Sequence, residues 1–397
     1  MINTIMSEMR KLMRLIESIE QGESYEINGL NVIDIDDFVD NDVEEQIEEA
    51  PEDEMLGAVT SDFEGQELQD YLQRIKDKEK SKGDKFSKPY IHGSNIEIRD
   101  GDKRFDTDKL MALVMERPKV ILKQNAKMQH SDGTSSVFYN VGLPALKGLA
   151  VNEKRKKFVI VNTCPGAGEC KTFCYAMKGG YVQWKAVSMG QSRMLNFLLN
   201  DPNGFSAQMK AELTKAEKKA SKKNDKVIVR WHDAGDFFSP QYLALAYDIA
   251  RSFPEVDFYA YTKLASVAQG KMPSNFLQNF SGGALRSQEK QIDFKRAKHS
   301  KVVPLDLFSD LIAREGNKLV KDDKGRQQFS SEQNKQEFKQ RLAKKYVIDV
   351  NSILTYDEMM ATPVSDEKHK YNVIVMPGDG DDSANRTDVL GSYLLFH

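Results

Sequence analysis

Short apolar runs led by β-branched residues recur along this chain, and each breaks into a polar loop ahead of a helical period. KFVIVN (157–162), VIVRW (227–231) and VDFYAY (256–261) are the clearest. Such runs are too apolar for a strand with one wet face, so they predict strands covered on both sides, as in a parallel sheet. VVPLDL (302–307), YNVIVM (371–376) and VLGSYLLF (389–396) extend the series, and SSVFYNVGLPA (135–145) predicts a strand closed by a Gly-Pro turn. NIEIRD (95–100) alternates like a short strand, and KVILKQNAKMQ (119–129) begins as one. Residues 182–199 and 205–220 have helical periodicity. A further helix follows HDAGDFFSP, with Ser239 as its cap, Pro240 at its first position and Tyr242, Leu245, Ala246 and Ile249 on its inner face. Strands alternating with helices predict an α/β fold: a partial or open βα barrel with a largely parallel sheet. A doubly wound open sheet is the rival that periodicity does not separate. In either fold, function collects at the C-terminal ends of the strands.

Ahead of this region the pattern is different. Ile5, Met9, Leu12, Met13, Ile16 and Ile19 mark one face of an amphipathic helix within residues 1–30. Residues 31–54 hold twelve Asp or Glu and no Lys or Arg, and RIKDKEKSKGDKFSK (74–88) is rich in lysine. Residues 31–88 therefore read as a charged accessory or linker region, and 89–397 as the α/β domain that binds a metal or cluster. The formal net charge of −3 offers no global electrostatic case for nucleic-acid binding. No run approaches the ~20 apolar residues of a membrane span, so no membrane partner is expected.

The only three cysteines lie within VNTCPGAGECKTFCYAMKGGY (161–181), as C-x5-C-x3-C. An odd number so close together does not suit a disulfide framework, and free thiols fit a reducing cytoplasm. Thiolates are soft ligands that favour zinc or iron–sulfur clusters. A structural zinc normally completes four protein ligands; zinc with His232 as the fourth, or with a water in that place, is the competing reading. A [4Fe–4S] cubane held by Cys164, Cys170 and Cys174 leaves one iron open. The small residues Pro165 to Gly168 could wrap it, with backbone amides aimed at sulfur. Simple core packing of three cysteines is the bland alternative.

Other polar residues gather at the predicted strand ends. In HDAGDFF, Asp233 or Asp236 could receive a cationic amine and His232 could move a proton, or the aspartates could merely cap their own turn. Lys263 closes the next strand and suits a carboxylate or phosphate. Arg230, inside a buried-strand pattern, needs an anionic partner. PGDGDDSANR (377–386) offers Asp379, Asp381, Asp382 and Arg386 for magnesium or substrate hydroxyls, or as an acidic turn. Asn125 and Lys127 are further substrate contacts. Phosphate-loop, dinucleotide, zincin and serine-hydrolase motifs are absent.

TCPGAGECKTFCYA resembles the cysteine segment of the phage gene-product-88 family. GDDSANRTDVLGSYLLFH is similar to that family's closing segment, and NAKMQ, HDAGDF and YAYTK to its intermediate motifs. The resemblance covers about residues 119–397. More distantly, a three-cysteine loop after a first buried strand resembles the radical S-adenosylmethionine enzymes, whose usual spacing is three residues and then two. That resemblance implies a [4Fe–4S] cluster, S-adenosylmethionine near Tyr175, Asp233, Gly235 and Asp236, and a reductant. Catalytic roles for His232, Asp236 and Lys263, and a nucleotide or nucleic-acid substrate, follow in the same way. The alternative is a non-catalytic zinc or iron–sulfur module that binds nucleic acid or a protein, with the lysines of 74–88 and 215–226 as contacts. The oligomeric state is open.

The charge of residues 31–54 leaves them little to bury. Deleting them should leave the thermal unfolding transition of the remaining chain nearly unchanged, as read by circular dichroism; a large loss of cooperativity would show that the segment packs.

Overall fold

The computed structural model describes residues 26–27, 30–31, 55–63, 111–112, 114–124, 136–177, 185–316, 318–323, 325–380 and 382–395. The chain forms two compact units, Met1–Glu48 and Glu49–His397. In the first, β1 (Glu26–Ile27) and β2 (Leu30–Asn31) make a short antiparallel ladder.

The second unit is built on eight parallel strands. They are β4 (Ser136–Val141), β7 (Lys226–Trp231), β8 (Asp257–Thr262), β9 (Phe276–Ser281), β10 (His299–Val303), β13 (Ile353–Thr355), β14 (Tyr371–Val375) and β15 (Val389–Leu395). Their spatial order is β13-β14-β15-β10-β9-β8-β7-β4, and every neighbouring pair is parallel. The sheet is open, with β4 and β13 as its edges. The α/β expectation holds, and the parallel strands carry the apolar runs for the reason given: both faces are covered.

On one face, Val227, Val229 and Trp231 of β7 and Phe258 of β8 pack into a core with α2 (Lys185–Asn200), α3 (Pro202–Ser221) and α4 (Pro240–Arg251). Ser239 caps α4, accepting from Tyr242 N, and Pro240 stands at the first position, where a missing N–H costs nothing. On the other face, Phe138, Ile228 and Tyr259 meet Ala384 of the short helix α9 (Asp382–Asn385).

KFVIVN departs from expectation. It forms β6 (Lys157–Asn162), but in a separate three-stranded antiparallel sheet, between β3 (Thr60–Phe63) and β5 (Lys147–Asn152). The free edge of β5 is closed by side chains of α2. Asn196 accepts from Val151 N at 2.8 Å, and Asn200, one turn on, donates to Val151 O at 3.0 Å. KVILKQ is not a strand either: Lys123 makes one antiparallel bridge to Asn140. VVPLDL contributes only the end of β10, because Pro304 cannot donate to a ladder and a 3-10 turn, Leu305–Leu307, follows. The expected amphipathic helix, most of 31–88, NIEIRD, Asn125, Lys127 and Asp381 lie outside the described residues, as does the side chain of Asp382.

The segment after β14 is held by buried charges. Lys298 donates to Ser383 O, Arg386 O and Val389 O at 2.7–2.9 Å, and its burial lowers its pKa to about 7. Arg386 clamps Asp388 through both oxygens at 2.7 and 2.9 Å and donates to the carbonyls of Met359 and Thr362. The bonds of Arg386 thus tie the closing segment to the chain around it. Burial opposes the Asp388 charge, but the Arg386 bonds outweigh it and hold the carboxyl below its usual range. Arg386→Ala should therefore lower unfolding stability by about 3 kcal/mol in urea titration, because it strands a fully buried carboxylate.

Candidate functional site

The cysteine loop leaves β6 and turns across the C-terminal ends of β4, β7, β8 and β9. Thr163 begins the crossing: its hydroxyl donates to Pro144 O, and its carbonyl accepts Asp236 N at 2.8 Å. Gly168 N and Cys170 N both donate to Gly283 O, and Leu285 N donates to Gly166 O, which binds the loop to the turn after β9. A Cβ on Gly168 would lie 2.1 Å from Ala284 O, so only glycine permits this approach. These amides donate to carbonyls, while Leu146 N donates to a thiol, 3.3 Å from Cys164 Sγ.

α1 (Cys170–Phe173) places Cys170 and Cys174 one helical turn apart, on the same side. Cys164 reaches them from the first half of the loop, and all three are free thiols that feel one another's charge. Burial pushes Cys164 up to about 12; Asp236 and the other two sulfurs add to the effect, and the Leu146 N–H opposes it. Burial also raises Cys170, against the ammonium of Lys263, which hydrogen-bonds its sulfur. Lys263 Nζ donates as well to Ser281 Oγ at 2.9 Å and Gly282 O at 2.8 Å.

Asp236 is buried beneath the thiols. Its Oδ1 accepts Phe237 N at 2.7 Å and its Oδ2 accepts Lys263 N at 2.8 Å. Burial raises its pKa to about 6, against those bonds and the Thr262 hydroxyl. With both oxygens engaged, Asp236 ties together the loops around it. Gly235, at φ 87°, supplies the left-handed turn before it.

His232 lies deeper, against α4. Its ring is 2% exposed; Nε2 bonds Tyr242 Oη at 2.7 Å, and Phe237 packs edge-on at 4.6 Å. Burial and then Arg230 lower its pKa to about 3, so the imidazole is neutral. It is held by α4, and no thiol is among its partners. Among the described residues no group of three His, Cys, Asp or Glu side chains is arranged to hold a metal ion.

Beside the thiols lies a second polar cluster. Tyr175, 52% exposed, donates its hydroxyl to Asp233 O, and Arg230 Nη2 reaches the same hydroxyl at 3.4 Å. The Arg230 guanidinium sits 5.0 Å from the Tyr261 ring centroid. Asn140 donates to Asp233 Oδ2 at 2.9 Å; burial raises the Asp233 pKa, with Arg230 and Lys123 opposing. Sequence reasoning missed Lys123 and Tyr261. A lysine inside VILKQ and a tyrosine alternating with Tyr259 were the available signals. Asp379 stands apart, accepting Met376 N and facing Arg326 at 3.5 Å, so the acidic turn is salt-bridged.

A thiol held near 12 stays protonated at pH 8. Iodoacetamide should then modify Cys164 in the folded chain at least about tenfold more slowly than in the urea-unfolded chain, where its pKa returns to about 8.5. Peptide mapping reads the difference, and equal rates would contradict the burial.

The family model for gene product 88 matches residues 119–345, a span that holds the cysteine loop, Arg230, the HDAGD loop and Lys263. The closing segment lies beyond that match. The Gene 88 protein of Mycobacterium phage D29 is 31% identical over 142 residues, covering 34% of this chain and 52% of that protein. The Gene 88 protein of Mycobacterium phage L5 is 32% identical over 144 residues, with the same coverage. The chain spans about half the length of these curated relatives, and no solved structure matches it. With its cysteine loop and the strand ends beneath it inside the matched span, this chain belongs to the gene product 88 family.

Proposed function

We propose that Cys164, Cys170 and Cys174 hold an iron–sulfur cluster and that the protein is an iron–sulfur enzyme acting at the C-terminal ends of its parallel strands. The observation that carries this reading is the convergence of all three thiols over those ends. A cubane held by three thiolates leaves one iron open, which matches the supply of three cysteines in this chain.

When bound, such a cluster supplies one-electron chemistry, and a cellular reductant feeds it. The chain's own residues do the rest. Lys263 joins Cys170 to the end of β9, and Asp236 fixes the loop that carries Cys164. Arg230, spread over Tyr261 and touching Tyr175, offers a cationic, aromatic rim that suits the phosphate and base of a nucleotide or nucleic acid. Asp233 beside that rim could take the amine of S-adenosylmethionine, the cosubstrate of the radical variant of this reading.

The test is anaerobic reconstitution, with iron and sulfide counted and the reduced protein examined by electron paramagnetic resonance. About four irons and four sulfides per chain are expected, with loss of the signal in Cys164→Ser, Cys170→Ser or Cys174→Ser. Stoichiometric zinc in the native preparation, with no cluster after reconstitution, overturns the reading. A spectrum that ignores added S-adenosylmethionine removes only the radical variant.

A further inference from the structure

We infer that a second site, a basic groove between residues 117–122 and α3, binds the phosphate backbone of single-stranded nucleic acid. The groove encloses about 620 Å³, lined on one side by Arg117, Lys119 and Val120 and on the other by Glu212, Lys215 and Lys219, with Tyr139 of the edge strand β4 also in its wall.

Four cations and one carboxylate line this space, on a chain whose overall charge is −3. The carboxylate is already engaged. Glu212 accepts Ile121 N at 3.0 Å and Leu122 N at 2.8 Å, and Gln208 Nε2 at 2.9 Å. Its negative charge is directed to backbone donors and pairs with none of the lysines. Among the described residues no carboxylate pairs with Lys119, Lys215 or Lys219, and all three are exposed. Lys215 and Lys219 are one turn apart on α3, about 6 Å along the axis. Arg117 is fixed at one end of the groove, donating to Gln208 Oε1 and Gly204 O, with Asp201 at 3.9 Å and its guanidinium 4.3 Å from the Phe197 centroid, so the three lysines carry the unpaired charge. The result is a row of cations held on a helix and a braced segment, rather than on free chain.

Charge alone would accept any polyanion. The groove wall also holds an aromatic and an apolar residue: half-buried Tyr139 and Val120, which is 50% exposed. An aromatic face flanked by lysines is what an unpaired base needs, because bases stack on aromatic rings while the backbone follows the charge. A duplex keeps its bases inside and has no use for that ring. An acidic peptide has the charge but no base to stack.

The experiment is fluorescence anisotropy of the full chain with a labelled single-stranded oligodeoxynucleotide, over a range of salt. Three or four phosphate contacts predict a slope of log affinity on log salt of about −2 to −3. Lys215→Glu with Lys219→Glu should weaken binding at least about tenfold, and Tyr139→Leu about tenfold, with thermal midpoints unchanged. If either variant loses its fold, Lys119→Glu gives the same reading from the opposite wall. Absence of binding at low salt, or full affinity in the folded lysine variants, overturns the proposal. So does a duplex that binds as tightly as the single strand, or polyglutamate that competes as well as unlabelled oligonucleotide.

Discussion

The arrangement at the strand ends depends on one buried carboxylate. Asp236 receives the N–H of Phe237 and the N–H of Lys263 on its two oxygens, while its own N–H binds Thr163 O. Three chain segments that are far apart in sequence meet at these bonds: the loop after β7, the end of β8 and the start of the cysteine loop. A carboxylate suits the position because it accepts on both oxygens at once, which neither a hydroxyl nor an amide does without presenting a donor. Burial makes the charge costly, and the donors around it offset much of that cost. Remove this carboxylate and the N–H groups of Phe237 and Lys263 lose their acceptor, and Lys263 loses its heading toward Cys170.

Much of the fold was legible because parallel strands advertise themselves. VIVRW, VDFYAY and YNVIVM are apolar on both faces, and Ser239-Pro240 marks a helix start by its chemistry alone. What was not legible has physical reasons. FLQNFS (276–281) forms β9 in the middle of the sheet, yet it carries Gln278 and Asn279 at buried positions, so its apolar run is interrupted. KFVIVN has the composition of a central parallel strand but takes antiparallel partners, since composition reports burial and is silent on the direction of a neighbour. β5 contains KGLAVN, where a glycine lets α2 approach closely, and a close approach leaves no periodic mark.

The candidate site shows the same division. That the three thiols would stand together followed from eleven residues of chain. Which polar side chains serve them did not, because a loop written HDAGD can aim its groups several ways. His232 and Asp236 are four residues apart and turn to different tasks, one closed under α4 and the other under the thiols. The left-handed backbone of His232, at φ 73°, separates them. A non-glycine residue in that region is held there by its surroundings, here by the bond to Tyr242 and the packing of Phe237.

The strand order has a consequence for how the chain comes together. β15 follows every other strand in sequence, yet it lies in the interior of the sheet, between β10 and β14. Until it is in place, the ribbon β4-β7-β8-β9-β10 and the pair β13-β14 share no ladder, and each presents a raw inner edge. Joining them requires pairing across a long stretch of chain, the kind of contact that closes slowly and late. During synthesis, the two ribbons must therefore wait, with unpaired N–H and C=O groups open to other strands. VLGSYLLF works as a keystone: the arch carries load only after the last stone is set.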